Sequence, residues 1–221
     1  GTLKTGNTVL HAHDGNLAFR LKKLVWTGSD TFYVSPDGTT IEIGSLTIDG
    51  GTVNKDTYGN LISADSFYTG TKDITLGTGG APFDTTDGAQ SVDRNLIGSG
   101  ALTKDGTNTL TLTGNNAYTG TTTVKAGTLA LSGGGTLGAS TLLDLRGPAS
   151  LNIGDKTADF SGKLLSFYVP SDMGTGGTLL SVGGAGTTDI ANSTVRVGVA
   201  GSSSPLGKGD AVTLIDAAGG T

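Results

Sequence analysis

Between residues 110 and 131 the chain reads LTLTGNNAYTGTTTVKAGTLAL, and its apolar positions recur with a period of two. Leu110 and Leu112, then Val124, then Leu129 and Leu131 point to one face of their runs. Thr111, Thr123, Lys125, Thr128 and Ala130 point to the other. Alternation of this kind marks strands buried on one face only. Gly114, Asn116, Tyr118, Gly120 and Gly127 fall between the runs, where Gly and Asn supply turn geometry. No single run buries enough surface to stand alone, so each needs a partner, and the nearest candidate is another copy of the same pattern.

Copies are present. An apolar-x-apolar unit followed by Gly or Asp-Gly appears as SLTIDGG at 45–51, DITLGTGG at 73–80, TLTLTGNN at 109–116 and TLALSGGG at 128–135. It recurs as SLNIGDK at 150–156, TLLSVGG at 178–184, TVRVGVAG at 194–201 and VTLIDAAGG at 212–220. From Leu110 the unit returns at Leu129, Leu151, Leu179, Val195 and Val212, a mean of roughly 20 residues, within the range of solenoid repeats. A second echo places Ile74 six positions after Tyr68 of YTGT, and Val124 six after Tyr118 of a second YTGT. Short strands at this spacing predict a coil of three strands per turn, a parallel β-helix, in which every strand pairs with its equivalent above and below. At about 22 residues per rung and about 4.8 Å between rungs, the chain makes roughly ten rungs and about 45–50 Å of solenoid. The alternative is a β-sandwich, which also has short strands and Gly turns but no reason to repeat its own strand–corner–strand phrase.

Three segments depart from the rhythm. LVWTGSDTFYV at 24–34 holds Trp26, Phe32 and Tyr33, the densest aromatic group. It reads either as a carbohydrate-stacking platform or as core under an N-terminal cap, with 1–40 as the cap or as irregular rungs. APFDTTDGAQSVDRNLI at 81–97 breaks the alternation and is expected to protrude as a loop, which makes it the leading contact segment. LLSFYVPSDMGTGG at 164–177 ends a strand at Pro170 and enters a turn.

Composition supports strands and narrows the chemistry. Gly contributes 39 of 221 residues, Thr is nearly as frequent, and Glu42 is the only glutamate. Straight-chain helix formers are scarce, whereas Thr, Val and Ile suit a pleated surface. Cysteine is absent, which excludes a disulfide scaffold and thiol chemistry. A net charge of −5 and a pI near 4.8 argue against nucleic acid as a partner. The basic cluster Arg20, Lys22 and Lys23 reads as the solvated side of a strand. The start, GTLKTGNTVL, has neither the basic nor the apolar stretch of a signal peptide, so the sequence reads as a piece of a longer protein.

Residues 98–131, GSGALTKDGTNTLTLTGNNAYTGTTTVKAGTLAL, closely resemble the passenger-associated transport repeat of Gram-negative autotransporters. That repeat runs loosely G-x-G-x-L-x-K-x-G-x-G-T-L-x-L-x-G-x-N-x-Y-x-G-x-T-x-V-x-x-G-x-L. Gly98, Gly100, Leu102, Lys104, Gly106, Thr109, Leu110, Leu112, Gly114, Asn116, Tyr118, Gly120, Thr122, Val124, Gly127 and Leu129 fall on it without a gap. Asn108 stands where glycine is usual, and Asn tolerates the left-handed region. The resemblance covers about a sixth of the chain. It implies a right-handed parallel β-helix exported through a C-terminal outer-membrane barrel, to which this chain contributes passenger. It also implies a part in secretion, with rungs that fold early outside the cell and template the next.

The residues offer little for catalysis. His11 and His13 in HAHDG share one strand face with Asp14 following, but no third metal ligand of clear spacing accompanies them. Any Ser-His-Asp triad would have to use one of these two histidines, and no G-x-S-x-G elbow supplies a serine. Glycan-cleaving β-helices need convergent carboxylates, for which Asp84, Asp87, Asp93 with Arg94, or Asp155 with Asp159, are the candidates. Most aspartates adjoin Gly, Ser or Thr in turns, where they bond their own backbone. GGAGTTDI at 183–190 is similar to a calcium-binding nonapeptide but carries one residue too many and has no tandem copies. No metal or cofactor is expected. The expectation is a non-enzymatic adhesin or stalk segment that meets host cells, matrix, glycans or sister cells. The alternatives are a secretion and folding module without a ligand, and a carbohydrate-cleaving β-helix.

Overall fold

Each alternating run becomes a strand, and the strands stack in parallel. The computed structural model describes residues 2–4, 10–12, 18–21, 23–27, 32–34, 40–43, 45–54, 73–140, 142–146, 149–169, 178–182, 186–199 and 212–216. Among them every regular element is a strand. One sheet joins β1 (Thr2–Lys4), β4 (Lys23–Trp26), β7 (Leu46–Ile48), β9 (Asp73–Leu76) and β12 (Asn95–Gly98). A second joins β8 (Val53–Asn54), β10 (Ala81–Asp84), β13 (Leu102–Asp105), β15 (Thr122–Val124), β17 (Leu142–Arg146), β20 (Leu164–Val169) and β23 (Thr194–Val199). A third joins β11 (Gln90–Val92), β14 (Thr109–Leu112), β16 (Thr128–Leu131), β18 (Ser150–Asn152), β21 (Thr178–Ser181) and β24 (Thr213–Asp216). The chain visits the sheets in rotation, β9 to β10 to β11 and then β12 to β13 to β14, so it is a parallel β-helix. Short ladders of β19 (Thr157–Asp159) with β22 (Thr187–Asp189), β2 (Leu10–Ala12) with β5 (Phe32–Val34), and β3 (Ala18–Leu21) with β6 (Thr40–Ile43) complete it.

The core is a set of columns down the inside of the coil. In the third sheet Leu110 stacks on Leu129 and Leu151, and Leu112 lies between Val92 and Leu131. In the second, Phe83, Lys104, Val124, Leu145 and Phe167 occupy successive register positions. The apolar members of these columns are buried, each contributing about 1.5–3 kcal/mol of transfer free energy.

The structure corrects three sequence expectations. Residues 81–97 do not protrude as a loop: β10, β11 and the start of β12 occupy them, with Phe83, Val92 and Leu96 buried. Pro82 obscured that rhythm, yet it sits one residue before the pairing with β8 begins at Phe83, where it costs no ladder donor. The two YTGT phrases do not lead to equivalent places, since Ile74 lies on the first sheet and Val124 on the second; Tyr68–Thr71 lie outside the described residues. The spacing from Leu110 also mixed faces. Leu151 pairs with Leu180 and that with Ile215, whereas Val195 belongs to β23 in the second sheet. The C-terminal rungs are therefore longer than the central ones, because connections between sheets lengthen there while the strands keep their register. At the N-terminus, β1, β2 and β3 pair in register with β4, β5 and β6, so these strands form rungs of the same parallel type as the rest. Arg20 and Glu42 are register partners there.

Candidate functional site in the repeat segment

The repeat forms the middle of the coil. Leu110, Leu112, Val124 and Leu129 have no exposed surface and take inward positions on the second and third sheets. Lys104 takes one too. It lies between Phe83 and Val124 in its column and is fully buried. Its methylenes fill the core, and its Nζ donates to the carbonyls of Asp105 (2.8 Å), Gly106 (2.7 Å) and Ala126 (2.9 Å). Ala126 belongs to the next rung, so one ammonium ties two successive corners. Desolvation lowers the Lys104 pKa from the usual 10.5 to about 8, opposed by the charges of Asp105 and Asp84.

On the first side of the coil the repeat interrupts its own strand ladder. Residues 115–119 follow β12 without forming a strand, although the N–H groups of Ala117 and Tyr118 still reach the Leu96 carbonyl and that of Thr119 reaches Gly98. Side chains replace the missing bonds. Asn116 is buried; its Oδ1 accepts the Leu96 N–H at 2.8 Å and its Nδ2 donates to the Thr136 carbonyl at 2.6 Å. One amide thus bridges the rung below to the rung above. Thr136 Oγ1 in turn accepts the Asn116 N–H at 2.8 Å. Outside this column, Asn95 Nδ2 donates to Asp73 Oδ1 and Asn95 Oδ1 accepts the Asn115 N–H, each at 2.8 Å.

Tyr118 fills the interior behind Asn116. It is wholly buried, its hydroxyl lies 2.7 Å from Thr122 Oγ1, and burial pushes its pKa up to about 12. The glycines are where neighbouring backbones touch. A Cβ on Gly120 would sit 2.3 Å from the Gly100 oxygen and one on Gly114 2.2 Å from the Arg94 oxygen, both impossible contacts. Gly127 combines a φ of +63° with a Cβ position 2.4 Å from the Asn108 oxygen. Asn108 itself spans two corners, donating Nδ2 to the carbonyls of Thr85 and Thr86.

The other candidate residues do not converge. Asp84 Oδ1 accepts the backbone and hydroxyl of Thr86, and Asp159 Oδ1 accepts the Ser161 N–H, which lowers its pKa. Asp155 pairs with its neighbour Lys156 at 2.8 Å, and that pairing lowers its pKa. Asp93 lies 3.4 Å from Arg94 Nε. These acids therefore close turns or pair with adjacent residues. His13 and Asp14 lie outside the described residues, as do the side chains of His11, Trp26, Phe32 and Tyr33 and the first part of GGAGTTDI. Sequence reasoning placed Lys104, Asn116 and Thr122 on the repeat but missed that Lys104 turns inward, that Asn116 bridges rungs through Thr136, and that Thr122 meets the Tyr118 hydroxyl. The alternation of Leu102-Thr103-Lys104 did mark an inward lysine, but a charge at that position argues for the outside unless corner carbonyls are known to converge there.

Comparison with known proteins agrees with this geometry. The family model described as passenger-associated-transport-repeat matches residues 102–131. The chain is similar to the adhesin BmaC autotransporter of Brucella suis, at 29% identity over 153 residues, which covers 69% of this chain and 4% of that protein. It is also similar to the autotransporter lipoprotein NalP of Neisseria meningitidis serogroup B, at 33% identity over 124 residues, 54% of this chain and 11% of that protein. The chain therefore spans a small part of either relative. No solved structure matches it significantly. The buried lysine, asparagine and tyrosine of the parallel coil fall on the matched stretch: residues 102–131 match the passenger-associated transport repeat, and the wider chain is similar to segments of autotransporters, proteins displayed at the Gram-negative cell surface.

Proposed function

We propose that this segment is a non-enzymatic stalk and contact section of its passenger, acting as part of an adhesin in attachment, aggregation or biofilm formation. The observation that carries the reading is the use of polar groups. Of the candidate acids, Asp84, Asp93, Asp155 and Asp159 are engaged in turns or by adjacent residues, while the outward strand positions form a continuous face. A face of that kind suits recognition, and similarity to a protein named as an adhesin supports it. Its partners on this reading are a host-cell, matrix or glycan surface, or a copy on a neighbouring cell. The outer-membrane barrel at the C-terminus of the same polypeptide holds it in place. The test is whole-cell display of the parent protein with and without residues 1–221. Display retained with attachment or clumping lost supports the reading; attachment unchanged at equal display refutes it.

A second reading has its own support in Lys104, Asn116 and Tyr118. Lys104 and Asn116 bind one rung to the next through side chains as well as backbone, and Tyr118 ties its own rung to Thr122, which suits a section that folds first and templates its neighbours during export. Replacing Leu110 and Leu112 by Asp places two charges in fully buried positions. On this reading surface display is lost; unchanged display would remove it.

A further inference from the structure

We propose that the outer surface of the second sheet, from β17 to β23, is a binding site for an acidic saccharide. The proposal rests on the surface-contact reading above and names its ligand class. Two outward columns meet here: Asp144, Ser166 and Arg196 in one, Arg146, Tyr168 and Gly198 in the other. They line a shallow cavity of about 350 Å³, at the small end of the range for ligand sites.

Each part is suited to a different feature of such a ligand. Arg146 Nε is bonded to the largely buried Asp144 carboxylate at 2.6 Å, while the arginine side chain as a whole is 58% exposed. The carboxylate fixes the guanidinium plane through Nε and leaves the terminal nitrogens to form a two-pronged contact with a second oxyanion. Arg196 is exposed and has no ion-pair partner among the described residues. The two arginines lie two rungs apart, about 10 Å along the axis, on the scale of successive acidic groups in a glycan. Between them Tyr168 is 42% exposed. One edge of its ring lies over Gly198, where an added Cβ would sit 3.1 Å from Cδ2. Glycine at this register position is what lets the ring lean across the neighbouring rung. The ring offers an apolar surface to the C–H face of a sugar, and the Ser166 hydroxyl lies beside it.

An acidic peptide fits less well. The backbone groups of β17 and β20 are engaged on both sides, and only β23, which ends the sheet, leaves an edge, at the rim of this face rather than across it. The site is also locally basic in a chain of net charge −5.

The experiment is calorimetric or surface-resonance titration of the intact chain with a heparin octasaccharide and a hyaluronan octasaccharide. A neutral dextran oligosaccharide and a polyglutamate peptide are the comparisons. Binding to at least one acidic glycan is expected, with none to dextran. Arg146→Gln, Arg196→Gln and Tyr168→Ala should each lose about tenfold in affinity. Gly198→Ala should weaken binding by displacing the ring, with the far-UV circular dichroism spectrum of every variant unchanged. No acidic-glycan binding, or affinity indifferent to these substitutions, overturns the site. Polyglutamate binding as tightly as either glycan overturns the ligand class. The same variants displayed on cells separate this proposal from the one beneath it. Glycan binding lost with attachment retained places adhesion elsewhere on the passenger. Glycan binding intact in a displayed passenger that mediates no attachment refutes the contact role and leaves the site standing.

Discussion

Two buried ionisable groups in the repeat make opposite demands on pH. Lys104 has a folded pKa of about 8 against the usual 10.5, so between those values an unfolded chain holds a proton that the folded chain has released. Stability then rises with pH across this window, and the gain is lost again as pH falls through 8. The full shift corresponds to about 3 kcal/mol as an upper limit, because 1.36 kcal/mol accompanies each unit. Tyr118 acts the other way. Its pKa is raised from 10.0 to about 12, so the unfolded phenol ionises first, and about 2.5 kcal/mol is lost as pH climbs from 10 to 12. These two groups together place a stability maximum near pH 10, well above the acidic pI. The assay is urea unfolding followed by circular dichroism from pH 7 to pH 11. With an m-value of about 2–3 kcal/mol/M for a chain of this size, the Lys104 contribution moves the midpoint by about 1 M. Lys104→Met keeps the length of the buried stem and removes the titrating group, so the rise between pH 8 and 10 should vanish in that variant while the fall above pH 10 remains. Tyr118→Phe should do the reverse. Subtracting the variant profiles cancels the contribution of exposed lysines. Wild-type and Lys104→Met profiles that stay parallel from pH 7.5 to 10 would refute the reasoning.

Other consequences follow from the contacts between rungs. Asn116→Ala removes the acceptor from the Leu96 N–H and should cost about 2–4 kcal/mol. Hydrogen exchange should then show protection lost at Leu96 before its neighbours, and retained protection would rule out the bridge. Gly120→Ala forces a Cβ to within 2.3 Å of the Gly100 oxygen and should cost several kcal/mol, whereas Gly134→Ala meets only the Thr113 oxygen at 3.5 Å and should change the unfolding free energy from urea titration by less than about 0.5 kcal/mol. Leu112→Ala empties a fully buried position and should cost about 2–5 kcal/mol by the same measurement; a loss under 1 kcal/mol would show that the rung collapses around the gap.

The sequence by itself determined the element type, the inward face of most strands and the coil. Leu110, Leu112, Val124 and Leu129 show their direction by alternation alone, because a strand sends successive side chains to opposite sides whatever it packs against. The repeated strand-and-turn unit pointed to stacking, because a run that cannot bury its face alone is stable only on a copy of itself. Tertiary structure decided which copy lies on which. Sequence spacing measures distance along the chain, whereas register depends on how much chain each corner consumes. That is why Val195 counted as the next rung but belongs to another sheet, and why Ile74 and Val124 follow the same phrase to different faces. Residues 81–97 read as a loop because Pro82 and several turn residues masked strands that only their partners reveal. Lys104 and Asn116 were present in the motif, but their roles depend on acceptors and donors that the coil brings together from neighbouring rungs. An ammonium or an amide can lie inside a solenoid only where backbone groups of the adjacent turn satisfy it, and that condition exists only after the turns have stacked.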